Sequence, residues 1–198
     1  MIKKVAIIGT VGLPAKYGGF ESLAEYLTKN LSNRFAFTVY CSKSSFKERK
    51  KTHNNSSLKY LPFKANGVQS ILYDFLSIIH AVFYSDCLLI LGVSGCMILP
   101  LIRMFSSKKI IVNIDGVEWK RSKWNWLAKW FLKNSERIAI YNSDKIISDN
   151  KGIYDYLKTT YNVESSLISY GGDHTENRII VKSTYDKYPF LKEKYAFK

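Results

Sequence analysis

The residues best suited to phosphate binding lie in a glycine-rich segment near the start of the chain. A short apolar run ends at Gly9, and Gly12, Gly18 and Gly19 follow before a helical pattern begins. Glycines let the backbone approach a ligand closely, and a helix N-terminus offers unpaired N–H groups. The segment therefore predicts binding of an anion such as a diphosphate at Gly18 and Gly19. The alternative is an ordinary βα loop whose glycines only make turns.

A second polar segment follows the apolar run that ends at Ile114. Its carboxylates and cations can hydrogen-bond sugar hydroxyls, orient an acceptor or pair with phosphate. Asp115 is the best candidate for a catalytic group, because a carboxylate at a strand end could orient an acceptor hydroxyl. The alternative is an Asp-Gly turn with a solvated ion pair. The charged residues of this segment are Asp115, Glu118, Lys120 and Arg121.

Residues 119–133 combine tryptophans with five basic residues and contain no acidic residue. In a helix that starts near Ser122, helical spacing predicts one apolar stripe that packs on the sheet, formed by Trp124, Leu127, Ala128, Phe131 and Ile138. Trp126 and Trp130 fall outside that stripe, and amphipathic indoles beside long cations suit a membrane interface. A partner domain that covers the indoles is the alternative. The neighbouring cations are Lys123, Lys129, Lys133 and Arg137.

Several common nucleotide and metal motifs are missing from the chain. The glycines after the first strand do not have the GxGxxG spacing, and no acidic residue closes the second strand to bind a ribose, which argues against a nicotinamide cofactor. The GxxxxGK[ST] motif of Walker-type NTPases is also absent. His53, His80 and His174 show no metal-ligand spacing, so no metal site is expected.

Short apolar runs alternate with amphipathic helical patterns along the chain. This alternation predicts a Rossmann-like α/β fold, with a doubly wound, mostly parallel sheet whose ligands bind beyond the carboxyl ends of the strands. Residues 42–57 are polar and basic, and we expect a mobile surface loop there. The predicted strands are 5–9, 37–41, 58–61, 87–91, 110–114, 145–148 and 165–169. The predicted helices are 20–31, 68–84, 96–105, 124–141 and 152–161.

The composition is that of one basic domain with a buried core. Of the 198 residues, 46% are hydrophobic, and 30 Lys and Arg against 16 Asp and Glu give a net charge of +14. This charge favours anionic partners: nucleic acid, anionic lipid or phosphorylated substrates. Cys41, Cys87 and Cys96 show no paired spacing, which indicates a reducing compartment. No apolar run is long enough for a secretory signal or a membrane span, so we predict a cytoplasmic protein with at most peripheral membrane contact.

Two of these segments, residues 9–21 and 115–124, resemble in sequence and order the N-terminal domain of glycosyltransferase family 4, in its bacterial rhamnosyltransferase-like branch. The likeness extends over about residues 3–173. Those enzymes assemble capsular and other surface polysaccharides. The resemblance implies the N-terminal half of a GT-B fold and a retaining transfer that needs no metal, no other cofactor and no strong base.

The resemblance also implies a division of roles among the loops. Glycines of the first loop approach the donor diphosphate, and the polar loop after residue 114 faces the acceptor. The donor-side residues are Gly12, Gly18 and Gly19. The acceptor-side residues are Glu21, Asp115, Gly116, Glu118, Trp119, Lys120 and Arg121. Residues 1–174 are then the acceptor-side domain, and residues 175–198 are a linker and the start of a missing donor-binding domain.

The expected function is therefore transfer of a sugar, with rhamnose suggested by the resemblance, from a nucleotide-sugar donor to a lipid-linked glycan at the inner face of the plasma membrane. Each Lys or Arg near anionic lipid contributes about 1 kcal/mol to membrane binding, which would account for the high net positive charge. This half alone is expected to be inactive. The alternatives are a nucleic-acid-binding module, although no RNA- or DNA-reading motif is recognisable, and a non-catalytic binding domain.

Overall fold

The computed structural model describes residues 2–16, 18–171 and 182–189. Its strands are β1 (Lys3–Ile8), β2 (Phe35–Ser42), β3 (Thr52–His53), β4 (Ser56–Leu61), β5 (Cys87–Leu91), β6 (Lys109–Ile114), β7 (Lys145–Ser148) and β8 (Ser166–Leu167). Its helices are α1 (Gly19–Leu31), α2 (Gln69–Tyr84), α3 (Leu99–Phe105), α4 (Trp126–Asn142), α5 (Lys151–Tyr161) and α6 (Lys182–Lys187). All strands join one sheet in the order β3-β4-β2-β1-β5-β6-β7-β8.

The sheet is parallel except for the pairing of β3 with β4, and helices cover both of its faces. The connections from β1 to β2 and from β4 to β5 run in opposite directions along the sheet and place their helices on opposite faces, because such crossovers are right-handed. One core packs α2, α3, α4 and α5 against the sheet, and the other packs α1. Side chains of β1 and β5 are buried on both faces, which explains their unbroken apolar runs. The doubly wound α/β prediction is confirmed.

The predicted helix over residues 96–105 is divided into two parts. Cys96–Ile98 form a 3-10 turn, and α3 begins only at Leu99. Pro100 lies in the first turn of α3, where its missing N–H group leaves no hydrogen bond unmade. Proline therefore marks the start of the regular helix.

The predicted mobile loop over residues 42–57 is wrong, because part of it is a β-hairpin. Asn54 and Asn55, between β3 and β4, have φ values of 47° and 56°, which suit the tight turn of a two-residue hairpin. The hairpin is tied to α1 through Glu25, whose Oε1 lies 2.6 Å from His53 Nε2 and accepts a 2.7 Å hydrogen bond from Asn54 Nδ2. The other oxygen of Glu25 accepts from the Ala15 N–H of the glycine-rich loop at 2.9 Å.

The predicted apolar stripe is not the most buried face of α4, although its member Ile138 packs against the core. The helix begins at Trp126, capped by the Asn125 side chain, which accepts a hydrogen bond from Ala128 N. Its buried face consists of Leu132, Ser135, Glu136, Ala139 and Ile140. Three side chains donate hydrogen bonds to Glu136 Oε1. These bonds allow a charged residue to lie on the buried face of the helix. The members of the predicted stripe are half-buried, or exposed in the case of Leu127.

Most of the predicted linker lies outside the described residues. Of positions 175–198, the structure describes 182–189, which include α6. The boundary at residue 174 and the role of the segment beyond it stay predictions.

Candidate functional site

Two adjoining cavities open at the carboxyl ends of the central strands, where a doubly wound sheet binds its ligands. The first, the apolar cavity, has a volume of about 630 Å³ and lies between the N-terminal parts of α2 and α4. The second, the polar groove, has a volume of about 950 Å³ and runs along the N-terminus of α1. The residues that line both are Gly9, Phe20, Ala65, Asn66, Asp115 and Arg121.

The polar groove contains the N-terminus of α1, with Gly18 and Gly19 in its lining. No side chain caps this helix, so its first N–H groups face the groove without a side-chain acceptor. Gly18 has a φ of 119°, and a Cβ there would lie 2.0 Å from Glu21 Oε2, so only glycine fits. Gly18 and Gly19 thus lie at an uncapped helix end in the wall of the groove, beside the Glu21 carboxylate, and their contact with a donor phosphate stays a prediction.

Gly12, the third predicted donor-side glycine, lines neither cavity. It packs against β2, where a Cβ would lie 2.6 Å from Cys41 Sγ. Its N–H donates to Thr10 Oγ1 at 3.1 Å, inside the loop. The geometry therefore gives Gly12 a packing position and separates it from Gly18 and Gly19.

Glu21 holds the glycine-rich loop in place while it lines the polar groove. Its side chain is buried, and Oε1 accepts hydrogen bonds from Thr10 Oγ1 at 3.0 Å and from Val11 N at 2.7 Å. These bonds fix the path of the loop between β1 and α1. A direct contact between Glu21 and an acceptor stays a prediction.

Tyr170 closes one end of the polar groove and was not singled out as a site residue from the sequence. A Cβ on Gly19 would lie 3.6 Å from its ring, and its hydroxyl accepts a 3.4 Å hydrogen bond from Asn113 Nδ2. Desolvation and the nearby Asp115 carboxylate raise the pKa of Tyr170 to about 12. No local sequence signal marks this tyrosine, because its position depends on how the chain returns after β8.

The segment after β6 contributes Asp115, Gly116, Glu118 and Arg121 to the apolar cavity. Asp115 is accessible to solvent, yet the surrounding protein atoms raise the pKa of its carboxyl group above the usual value. The Asp149 and Glu118 carboxylates add to this effect, and Arg121 opposes it. A carboxyl group with a raised pKa accepts a proton more readily than an ordinary one.

Glu118 is the centre of a small ion-pair cluster. Its carboxylate lies 2.9 Å from Arg121 Nη1 and 3.0 Å from Lys123 Nζ. Burial alone would raise the pKa of Glu118, but these two cations outweigh burial and hold the pKa below its usual value. Glu118 is therefore an anion that positions two cations at the mouth of the apolar cavity.

Trp119 and Lys120 point away from both cavities. Trp119 Nε1 donates to Glu136 Oε1 at 3.3 Å, which ties the segment to α4. Lys120 Nζ lies 5.4 Å from the centroid of the Trp119 ring, and Lys133 Nζ lies 4.9 Å from it. These two predicted acceptor-side residues thus anchor the segment, and the structure does not bring them to the cleft.

The predicted membrane-contact residues lie along the N-terminal half of α4. Trp126 is 78% exposed and Trp130 is 57% exposed, and Trp130 also lines the apolar cavity. Lys123 and Lys133 are exposed, and Lys129 is half-buried. Within the described ranges, no helix combines the length and apolar character needed to cross a bilayer.

Asp74 is a cavity residue that the sequence patterns did not single out. It lies in α2, is 4% exposed and lines the apolar cavity. Ser94, after β5, donates a hydrogen bond to its Oδ2, whereas Oδ1 is buried and has no partner among the described residues. Burial raises the pKa of the Asp74 carboxyl to about 7, against the lowering effect of the Ser94 bond. The sequence signal that could have identified Asp74 is a single carboxylate inside an apolar helical run.

The described residues contain no group of three His, Cys, Asp or Glu side chains arranged to hold a metal ion. His53 is paired with Glu25, and His80 Nδ1 lies 2.7 Å from the buried Tyr40 hydroxyl. The expectation that no metal ion is needed stays a prediction.

Comparison with known proteins relates this geometry to a family and to a solved fold. Residues 2–173 match the family model described as "Domain of unknown function (DUF1972)". No curated protein matches the sequence. The structures that it resembles include a sucrose-phosphate synthase from Thermosynechococcus elongatus, with a TM-score of 0.66 and 13% identity, over 85% of this chain and 48% of that one. The chain thus spans about half the length of that protein and has a GT-B glycosyltransferase-like fold.

Proposed function

We propose that this chain, which belongs to the DUF1972 family and folds like part of a GT-B glycosyltransferase, is the acceptor-side domain of such an enzyme. It would help to transfer a sugar, rhamnose by the resemblance noted above, from a nucleotide-sugar to a lipid-linked glycan in surface polysaccharide synthesis. One observation carries the proposal. Asp115 and Arg121 line both a polar groove suited to a diphosphate and an apolar cavity suited to a lipid-borne acceptor.

The donor diphosphate would lie in the polar groove. The uncapped N-terminus of α1 supplies N–H groups and the positive end of the helix dipole, and Arg121 adds a cation. Gly18 and Gly19 let the phosphates approach the backbone. A second domain would hold the nucleotide and sugar across the groove, which is consistent with the 48% coverage of the sucrose-phosphate synthase chain.

The acceptor would enter by the apolar cavity from the membrane side. Trp130 and Leu127 line this cavity and are more than half exposed, so their rings and methyl groups can contact lipid beside its opening. Lys123 and Lys133 are exposed near them and would face anionic headgroups. The protein would thus bind peripherally at the inner face of the membrane.

The transfer step would then take place near Asp115. The acceptor hydroxyl oxygen forms a bond to the anomeric carbon, the bond between that carbon and the diphosphate oxygen breaks, and the proton ends on the departing diphosphate. Asp115 accepts a hydrogen bond from the hydroxyl and so orients a lone pair toward the anomeric carbon. The mechanism requires no metal ion and no strong base.

The activity test uses the whole natural gene product, with nucleotide-sugars including a rhamnose donor, and lipid extracted from its host as acceptor. We expect an Asp115→Asn variant to lower kcat/KM about 100-fold, since poor positioning of a reacting group can cost a factor of about this size. Asp155→Asn, at an exposed position of α5, is the matched control and should keep full activity. Absence of transfer with every donor by the wild-type protein would refute the proposed function.

The membrane test measures co-sedimentation with phosphatidylglycerol vesicles and with pure phosphatidylcholine vesicles. A Trp126→Ala, Trp130→Ala double variant should bind the anionic vesicles at least about tenfold more weakly, because two exposed indoles no longer enter the interface. Tyr141→Ala, at the other end of α4 and 59% exposed, is the control. Unchanged vesicle binding by the double variant would contradict membrane contact. Steeply salt-dependent binding to an oligonucleotide without vesicle binding would instead favour a nucleic-acid module.

A further inference from the structure

Asp74 and Ser94 form a polar pair in the wall of the apolar cavity, which charged residues of the segment after β6 also line. The remaining lining includes aromatic and aliphatic side chains of α1, α2, α4 and the residues just before α4, namely Phe20, Ile71, Trp124, Leu127 and Phe131. Asp74 is 4% exposed, whereas Ser94 is half-buried and also lines the cavity. Ser94 Oγ donates to Asp74 Oδ2, so the hydroxyl hydrogen is used and its lone pairs stay available.

The second oxygen of Asp74 has no hydrogen-bond partner among the described residues, although it is buried. The carboxyl group is held in place, because Gly95 leaves no space beside it: a Cβ on Gly95 would lie 2.4 Å from Asp74 Cβ. Burial also disfavours ionisation of the group. A buried acceptor without a donor is costly to the fold, and a bound ligand or an ordered water can supply the missing donor.

We propose that the apolar cavity binds a glycoside with an apolar aglycone, and that Asp74, positioned by Ser94, accepts a hydrogen bond from a hydroxyl of its sugar. The inference rests on the proposed function in taking this cavity as the acceptor side. Sugar rings present apolar C–H faces that pack on aromatic side chains such as Trp124 and Phe131, and they present hydroxyl donors at their edges. A bare hydrocarbon chain would fill the cavity but would leave Asp74 unpaired.

The specificity of the Asp74–Ser94 pair follows from the hydrogen bonds that each group can still accept. Asp74 Oδ1 accepts one donor, and Ser94 Oγ can accept a second from a neighbouring hydroxyl. A site built to hydrogen-bond a hydroxyl discriminates strongly against an analogue that lacks it, because its buried polar group is then left unpaired. Asp74 and Ser94 would therefore select a sugar over a plain lipid.

The test measures binding by isothermal titration calorimetry, with two probes below their micelle concentrations. Octyl β-D-glucoside carries hydroxyl donors, and octyldimethylamine N-oxide has the same chain length without any donor. Asp74→Leu removes the acceptor and keeps the number and branching of the side-chain heavy atoms, and Asp74→Asn and Ser94→Ala are milder variants. Asp155→Asn, outside the cavity, is the control. Thermal unfolding of each variant establishes that it is folded.

We expect Asp74→Leu to weaken octyl glucoside binding at least about tenfold and Ser94→Ala about threefold, with the amine oxide unaffected by either. Wild-type affinity of a folded Asp74→Leu variant for the glucoside would overturn the inference and would indicate that Asp74 binds only water. Failure of the wild-type chain to bind the glucoside would overturn it as well.

The assay involves no donor, membrane or turnover, so its failure is separable from failure of the proposed function. Sugar transfer by the whole gene product without Asp74-dependent glycoside binding would remove only this inference. Asp74-dependent binding without any transfer would remove the proposed function and would leave a glycoside-binding cavity.

Discussion

Glu21 and Asp74 are both buried carboxylates that line the cleft, but their surroundings differ. Glu21 in α1 receives hydrogen bonds from a hydroxyl and a backbone N–H of the glycine-rich loop. Asp74 in α2 receives one, from Ser94, and its other oxygen is unpaired among the described residues. Burial alone therefore does not distinguish a carboxylate that builds a loop from one that is available to a ligand. The two groups differ instead in the number of hydrogen bonds that they receive, two at Glu21 Oε1 and one at Asp74 Oδ2.

The two sides of the cleft also differ in their response to pH. On the α1 side, hydrogen bonds from Ala15, His53 and Asn54 outweigh burial and hold the pKa of Glu25 below its usual value. On the α2 side, burial raises the pKa of Asp74 to about 7. Ionisation of Glu25 therefore stabilises the folded state, whereas ionisation of Asp74 destabilises it. Substitutions of these two residues should change the pH dependence of unfolding in opposite directions.

The largest expected effect is at Glu21. Glu21→Ala leaves the Thr10 hydroxyl and the Val11 N–H buried without an acceptor, which should lower the free energy of unfolding by about 3 kcal/mol. Chemical denaturation at neutral pH measures this loss. Glu164→Ala, at an exposed position, is the matched control. A loss no greater than that of the control would show that the loop does not depend on Glu21.

A smaller effect of opposite sign is expected at Asp74. The folded protein holds the Asp74 proton up to about pH 7, whereas the unfolded chain loses it near pH 4, so this residue lowers stability progressively as pH rises between these values. Asp74→Asn cannot ionise and should raise the free energy of unfolding at pH 8 by about 2 kcal/mol, because a relief of about 4 kcal/mol from ionisation is partly offset by burial of the amide, and no gain is expected at pH 4. Denaturation curves across this range measure the difference. A gain that is equal at both pH values would contradict the assigned ionisation.

The smallest effect is expected at Glu25. Glu25→Gln weakens the bonds that join the hairpin to α1, and should cost about 1 kcal/mol at neutral pH. Because the pKa of Glu25 is lower in the folded state, its contribution is complete above the unfolded pKa and is lost as pH falls through the folded pKa. The difference between wild type and variant should therefore shrink toward pH 3. A constant difference would show that charge at Glu25 is unimportant.

Much of the fold could be predicted from the sequence because buried parallel strands leave unbroken apolar runs. The run before Gly9 and the one at residues 87–91 are such strands, and the loops that follow them do line the cleft. The hairpin was missed because its turn is made by two asparagines in a polar stretch, and asparagine is equally common in irregular loops. Its anchor, Glu25, is distant in sequence.

The site was harder to predict than the fold, because the roles of its residues depend on contacts between distant elements. Trp119 looked like a cleft residue beside Asp115, but Glu136 binds its indole N–H and turns it inward. The same Glu136 lies on the buried face of α4, which the apolar pattern alone does not predict. Asp74 carries no sequence signal beyond its place in an apolar helical pattern, since only the folded chain shows that one of its oxygens has no partner among the described residues.

The distribution of the indoles has a spectroscopic consequence. The four tryptophans of the chain, at positions 119, 124, 126 and 130, all lie in the segment that joins β6 to α4 and in the first turns of that helix. Trp119 and Trp124 are half-buried, whereas Trp126 and Trp130 are mostly in water. Intrinsic fluorescence of this protein is therefore a local signal. A blue shift on adding vesicles would report this segment entering an apolar environment, without any label attached.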